Sequence, residues 1–331
     1  MQYSDIISLK KASPVRFLGY FLKGVIFVGI STFIVLKIKD HPIGIDQLVD
    51  TVANRERHSA ISLLLLIPFL TVINWLLEAV KWKMLSNRIE KMSLWESVQG
   101  VLTGLSFGFV TPHAVGDYAG RIWHLKNDKR FESLGAIMLG RALQFFPTFA
   151  FGLLGVFYFF FITDPLVFGQ IALLGIAVVL LMGTMLFIYG RQAFLRIMSM
   201  NPFKKIKKYL IIIAQYSNKE MLSFIALAFG RYIVFSSQFM ILLVLLDASE
   251  DSLLLMAGIS WTFLGKSIIP SFNFLSDLGV REFSALFFFT HFRVEAMPVV
   301  VASFSLWCFN LLIPSIVGLI GIGSMKIFRK T

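Results

Sequence analysis

Long apolar runs are the feature that most constrains how this chain can fold. A helix needs about 20 consecutive, mostly apolar residues to cross the hydrocarbon of a bilayer. Runs that meet this requirement recur along the whole sequence, so we predict an all-α polytopic membrane protein. There are six such runs: 15–38, 60–82, 134–162, 169–189, 221–246 and 298–323.

The composition supports a membrane protein and excludes several other classes. Of the 331 residues, 57% are hydrophobic and only 15% are charged, which is too little charge for the surface of a soluble domain of this size. The formal net charge of +12 is typical of basic loops beside anionic lipid, so no nucleic-acid partner is predicted. The single cysteine, Cys308, and five scattered histidines predict no disulfide, metal site or cofactor.

Two further apolar segments, 97–110 and 253–269, are short and each leads through a proline into a charged stretch. Lysine and arginine gather in cytoplasmic loops. They surround the first short segment and both chain termini, whereas the second segment follows the acidic residues of 247–251. We therefore predict a re-entrant hairpin at about 97–125 that enters from the cytoplasm and another at about 253–290 that enters from outside. We also predict that the protein lies in the inner membrane with both termini on the cytoplasmic side.

In this order the two halves, 15–162 and 169–323, repeat one unit of two spans, a hairpin and a span with opposite orientation. The predicted architecture is thus a single domain over residues 1–331, with about six transmembrane helices plus two re-entrant hairpins in an inverted repeat. Transporters built this way bind substrate at their paired interrupted segments. The predicted hairpin-forming residues are Pro112, Gly116, Pro270 and Gly279.

Several charged residues fall at membrane depth, where each costs about 2.5 to 3.5 kcal/mol on insertion scales. Asp117 and Arg121 are four residues apart and could either pair with each other or border a cavity. Arg141 and Arg231 lie too deep in their spans to reach the interface easily, so we predict that they are unpaired cations. Arg281 is adjacent to an acid that points elsewhere on a helix, so it needs a partner on another element or a ligand.

Near the end of the second span, Glu78 could reach the interface, and Lys81 with Trp82 is predicted to be an interfacial anchor. The deep arginines instead suggest a phosphate group, which guanidinium binds bidentately. The alternative, that these arginines only pair with acids and helix carbonyls, stays open. The candidate substrate-binding residues are Asp117, Arg121, Arg141, Arg231, Arg281 and Glu282.

Three motifs, "KWKML", "TPHAVGDYAGR" and "LGVRE", resemble those of the lysylphosphatidylglycerol synthase transmembrane region, the flippase-like part of the multiple peptide resistance factors. The resemblance covers nearly the whole chain and implies a lipid flippase. Departures from the family pattern include Ala114, where members commonly carry arginine, as well as Gly140 and Gln144. The positions that the resemblance implies are functional are Pro112, Gly116, Asp117, Arg121, Pro270, Gly279, Arg281 and Glu282.

The sequence therefore predicts a translocator that moves an anionic or phosphate-linked lipid or glycolipid between leaflets. No aminoacyltransferase domain is expected in these 331 residues, so an enzyme is not predicted. Without an ATP-binding G-x-x-x-x-G-K-[ST] motif, an ion gradient, the membrane potential or downhill flow would drive transport. The alternatives are a membrane-embedded transferase acting on a lipid-linked substrate and a non-catalytic scaffold of envelope lipid synthesis. A separate lipid-modifying enzyme and a second copy of the chain are the candidate protein partners.

Overall fold

The computed structural model describes residues 57–127, 130–163, 204–269 and 274–324, together with a few isolated helical positions. Almost all of the predicted first span, most of the fourth, both chain termini and Pro270 lie outside the described residues. Within the four described ranges, α-helices follow one another with short connections. They are α1 (Arg57–Ser86), α2 (Leu94–Val110), α3 (Val115–Trp123), α4 (Ser133–Thr163), α5 (Lys204–Leu210), α6 (Asn218–Leu245), α7 (Ser252–Ile268), α8 (Phe274–His291), α9 (Ala296–Trp307) and α10 (Ile313–Ser324).

Four helical stretches are long and apolar enough to cross a membrane, which makes the chain a multi-pass membrane protein. They confirm the predicted spans at 60–82, 134–162, 221–246 and 298–323. The last one is α9 and α10 joined by a π-helical turn at Cys308–Leu312. The four stretches are Ile61–Ser86, Arg130–Thr163, Asn218–Leu245 and Ala296–Gly321.

The first predicted hairpin is a pair of antiparallel helices, α2 and α3, joined by a 3₁₀ turn at Pro112–Ala114. A capping box of Ser93 and Glu96 starts α2. The two helices pack backbone to backbone through glycines four residues apart, as small residues allow in membranes. A Cβ on Gly120 would lie 2.5 Å from the Gly104 Cα, and one on Gly116 would overlap a carbonyl of α2.

The second predicted hairpin consists of α7 and α8, which pack against each other. The side chain of Asp251 caps the first turn of α7. Here glycine meets side chains instead of backbone: a Cβ on Gly258 would overlap the ring of Phe289. Gly279 lies inside α8 and not in the connecting turn.

The two halves pack against each other in a reciprocal way. Helix α1 packs on α6, α2 of the first hairpin packs on α10, and α7 of the second hairpin packs on α4. Close approaches support the last two contacts, because a Cβ on Gly318 would overlap the Leu102 carbonyl and one on Gly155 would lie 2.6 Å from the Ala257 oxygen. This pattern is the one expected if the two halves are equivalent units that interlock. The inverted orientation of the halves and the re-entrant course of the hairpins stay predictions.

Candidate functional site

Six charged side chains from α1, α3, α4 and α6 form one cluster that is mostly buried, with Glu78 at its centre. Its Oε2 atom lies 2.7 Å from Lys81 Nζ, one helical turn further along α1. Its Oε1 atom lies 3.0 Å from a guanidinium nitrogen of Arg121. The Glu78 carboxylate also accepts a hydrogen bond from Arg231 Nη1, on α6. One carboxylate therefore holds three cations from three helices.

Asp117 is the second acid of the cluster. Its Oδ1 atom accepts from Arg121 Nε at 2.9 Å, and its Oδ2 atom accepts from Arg141 Nη2 at 2.7 Å. The pairing of Asp117 with Arg121 that the four-residue spacing allowed is thus confirmed. The prediction that Arg141 and Arg231 are unpaired is wrong, because neighbouring helices bring Asp117 to the first and Glu78 to the second.

The interfacial roles predicted for the end of the second span are also wrong. Trp82 is 0% exposed and Lys81 is 1% exposed. Lys81 Nζ points inward and donates to the Gly140 carbonyl and to Gln144 Oε1, each at 3.3 Å. Sequence reasoning missed both Glu78 and Lys81, although an acid and a base three residues apart at membrane depth were the available signal.

Aromatic rings support the guanidinium groups of the cluster, in positions that favour cation–π attraction. Each of its three arginines lies over a ring. The pairs are Arg121 with Trp82 at 5.6 Å, Arg141 with Tyr118 at 4.6 Å and Arg231 with Trp75 at 5.2 Å from the ring centroid.

The cluster lines a cavity of about 350 Å³. Four cations and two carboxylates contribute, so the wall has a formal net charge of +2. Arg141 presents the most surface, with 37% of its side chain exposed, compared with 8% for Arg121. Ser267 of α7 and Leu311 of the last span complete the wall from the second half. The cavity can therefore receive a small anionic group.

Ala114 lies at the edge of this cavity in a conformation that an L-residue with a side chain rarely adopts. Its φ and ψ angles of 51° and 33° are left-handed, which costs roughly 1 to 2 kcal/mol. The Ala114 carbonyl accepts a hydrogen bond from Arg141 Nη2 at 3.4 Å. Strain of this kind persists where surrounding contacts determine the backbone.

Arg281 and Glu282, which were predicted to bind substrate, are not among the described residues that line the cavity. Arg281 is fully buried, and none of its three nitrogens has a hydrogen-bond partner among the described residues. Asp277 and Glu282 are close enough to interact with it electrostatically. Asp277 itself forms an ion pair with Lys266 at 3.3 Å, without hydrogen-bond geometry.

His124, at the end of the first hairpin, is a partly buried histidine outside the cluster. Its Nε2 atom lies 3.0 Å from Thr103 Oγ1, and burial lowers the pKa of His124, which favours the neutral ring. Within the described ranges, no three His, Cys, Asp or Glu side chains come together as a metal site requires.

The similarity of this chain to known proteins lies at the level of a family. Neither the curated proteins nor the solved structures contain a match. A family model described as "Lysylphosphatidylglycerol synthase TM region" matches residues 24–318, which include both hairpins and every residue of the charged cluster. The chain therefore belongs to the lysylphosphatidylglycerol synthase TM region family.

Proposed function

We propose that this protein is a flippase that moves an anionic, phosphate-bearing lipid between the leaflets of the inner membrane. The observation that carries the proposal is the charged cluster around Glu78 and Asp117, whose cations exceed its acids by two on the wall of a partly open cavity. Charge at membrane depth is costly, and it is typical of substrate pathways. The family is linked to membrane lipids, which supports a lipid as the substrate.

The chemistry of the cluster favours phosphate. Guanidinium keeps its charge when it is desolvated and matches phosphate oxygens with two parallel hydrogen bonds. Arg141 is the cation best placed to make the first contact, because its hydrogen bonds to Asp117 and to the Ala114 carbonyl both use Nη2 and its side chain is the most exposed of the cluster. The two carboxylates hold the remaining cations in place when no anion is present.

The size of the cavity favours a head group and not a whole lipid. Ligand pockets for small molecules have volumes of roughly 300 to 1,000 Å³, and this cavity of about 350 Å³ is at the lower end of that range. The acyl or prenyl chains would stay in the surrounding lipid. Rocking of one half against the other would open the cavity to each side in turn, with the hairpins as re-entrant elements and both termini cytoplasmic.

The proposal is tested with purified protein in liposomes that contain fluorescently labelled phosphatidylglycerol. Quenching of the outer leaflet measures how fast label crosses the bilayer. We expect the wild-type protein to accelerate crossing and Arg141→Gln to slow it by about 10- to 100-fold, the value of one or two charged hydrogen bonds. Arg88→Gln is the matched control, because Arg88 is an exposed arginine that pairs with Glu220 away from the cavity.

The same liposomes separate the alternatives. New lipid species in the mass spectrum would indicate a membrane-embedded transferase, and neither movement nor chemistry would indicate a scaffold. Asp117→Asn and Arg281→Ala extend the test to both hairpins. Wild-type rates in both variants would contradict the predicted binding residues, and equal rates in protein-containing and empty liposomes would contradict transport.

A further inference from the structure

The last span is interrupted by a π-helical turn at Cys308–Leu312, with Asn310 at its centre. A π turn widens the helix and redirects both side chains and carbonyls, and such turns are frequent at functional sites. Asn310 is 1% exposed, so each of its polar atoms needs a partner inside the protein.

The partners of Asn310 point to the charged cluster. Its Oδ1 atom accepts from Asn74 Nδ2 at 2.9 Å, and its backbone carbonyl accepts from Trp75 Nε1 at 3.1 Å. On the opposite side, its Nδ2 atom donates to Gln238 Oε1 at 3.1 Å and to the Leu306 carbonyl at 3.2 Å. One residue of the last span therefore holds two consecutive residues of α1.

Those two residues of α1 are the neutral supports of Arg231. Asn74 Oδ1 accepts from Arg231 Nε at 3.0 Å, and the Trp75 ring lies 5.2 Å from the guanidinium carbon. The remaining support is the ion pair with Glu78. A guanidinium that binds a ligand along one edge needs neighbouring residues to fix its other edges by packing and hydrogen bonds.

We propose that Asn310 is a positioning residue for the head-group site. It acts through Asn74 and Trp75 to fix the guanidinium of Arg231 against the cavity, and it makes the geometry of the site depend on the π turn of the last span. This inference rests on the proposed function for its ligand. Its structural part, the coupling of Asn310 to Arg231, can be measured without ligand.

The test is a double-mutant cycle of Asn310→Leu and Arg231→Gln in purified protein. Binding of dioctanoyl phosphatidylglycerol is followed by tryptophan emission, since Trp75 lines the cavity. We expect Asn310→Leu to weaken binding by about tenfold, as for the loss of one supporting hydrogen bond, and to have little further effect in the Arg231→Gln background. Asn310→Ser, which is too short to reach Asn74, replaces Asn310→Leu if the latter does not fold.

Ser106→Ala is the matched control. It removes a buried hydrogen bond of 2.6 Å to the Ser315 carbonyl of the last span, and the hydrogen bonds of Ser106 in the described part of the chain go to Leu102 and Ser315, not to Asn74 or Trp75. We expect it to lower the melting temperature but to leave affinity within about twofold. An undiminished effect of Asn310→Leu in the Arg231→Gln background, or an equal loss of affinity in Ser106→Ala, would overturn the proposal.

The proposed function and this inference fail in different ways. If the wild-type protein does not bind the lipid, the function fails, and the same cycle is then read from melting temperatures without ligand. A melting-temperature shift of the double variant that is smaller than the sum of the two single-variant shifts would support the coupling of Asn310 to Arg231. A shift equal to that sum would overturn it.

Discussion

The two helical hairpins of this protein share a sparse pattern of residues but satisfy their charges differently. Each has a proline followed by Asp, Gly and Arg within about a dozen residues. In the first hairpin, Asp117 and Arg121 pair with each other and with charges from α1 and α4. In the second, Arg281 is buried without a hydrogen-bond partner among the described residues.

The difference shows that neighbouring helices, and not the hairpin itself, decide the state of a buried charge. Helix α1 brings Glu78 to the first hairpin and α4 brings Arg141. The second hairpin packs against apolar and aromatic side chains of neighbouring helices, including Phe159 of α4 and Phe239 of α6. The first hairpin therefore belongs to a charged cavity, and the second belongs to an aromatic core.

The largest expected effect comes from removing the acid at the centre of the cluster. Glu78→Gln leaves three buried cations with one fewer carboxylate, and breaking such a buried network costs about 3 to 5 kcal/mol. Glu282→Gln in the second hairpin is the comparison, with an expected cost below about 1 kcal/mol. Unfolding in detergent by heat or denaturant measures both. Equal losses would show that the second hairpin has an ion pair of similar strength.

A methyl group added to a glycine of each hairpin is the next test. In Gly120→Ala the new Cβ meets the backbone of Gly104, which cannot move without separating α2 from α3. In Gly258→Ala it meets the rings of Phe289 and Phe288, which are side chains and can shift more readily than backbone. We expect overpacking to lower the unfolding free energy by about 3 kcal/mol in Gly120→Ala and by about 1 kcal/mol in Gly258→Ala. The same unfolding experiment measures both. A larger loss for Gly258→Ala would contradict this difference.

Relief of backbone strain in the first hairpin has a smaller effect of opposite sign. Ala114→Gly removes the cost of the left-handed conformation and should raise the unfolding free energy by about 1 kcal/mol. The control is Ala119→Gly on the exposed face of α3, which should lower it by about 0.5 to 1 kcal/mol. Destabilisation by both variants would argue against a left-handed Ala114.

The smallest change is expected at the arginine of the second hairpin. Arg281→Met removes the cost of burying a guanidinium that has no hydrogen-bond partner among the described residues, and Asp277 keeps its ion pair with Lys266. We expect a change of the unfolding free energy within about 1 kcal/mol, against a loss of about 3 kcal/mol or more for Arg121→Met, which leaves Glu78 and Asp117 each with one cation fewer. A comparable loss for Arg281→Met would indicate a strong partner for this residue.

Hydrophobic length and helix breakers predicted much of the described fold. The spans at α1, α4 and α6 could be predicted from their long apolar runs. In lipid, the backbone polar groups of such a run are satisfied when the run is a helix, because all its hydrogen bonds are then internal. The first hairpin was predicted at 97–125 and its helices occupy Leu94–Val110 and Val115–Trp123, because a proline and two glycine pairs restrict where the chain can turn. The π turn around Asn310 was not predicted from the sequence, because it lies within an apolar run without a charged residue. The contacts of Asn310 with α1 and α6 form only after the helices pack.

The sequence alone determined which residues are costly to bury, because that cost depends only on the residue type and its depth in a span. It did not determine their partners. Glu78 and Lys81 were expected to extend toward the interface, but ion pairs of Glu78 with Arg121 of α3 and Arg231 of α6 hold this part of α1 inside the protein. Only the tertiary structure could decide this, because charges separated by up to 153 positions in the chain meet only after the helices pack.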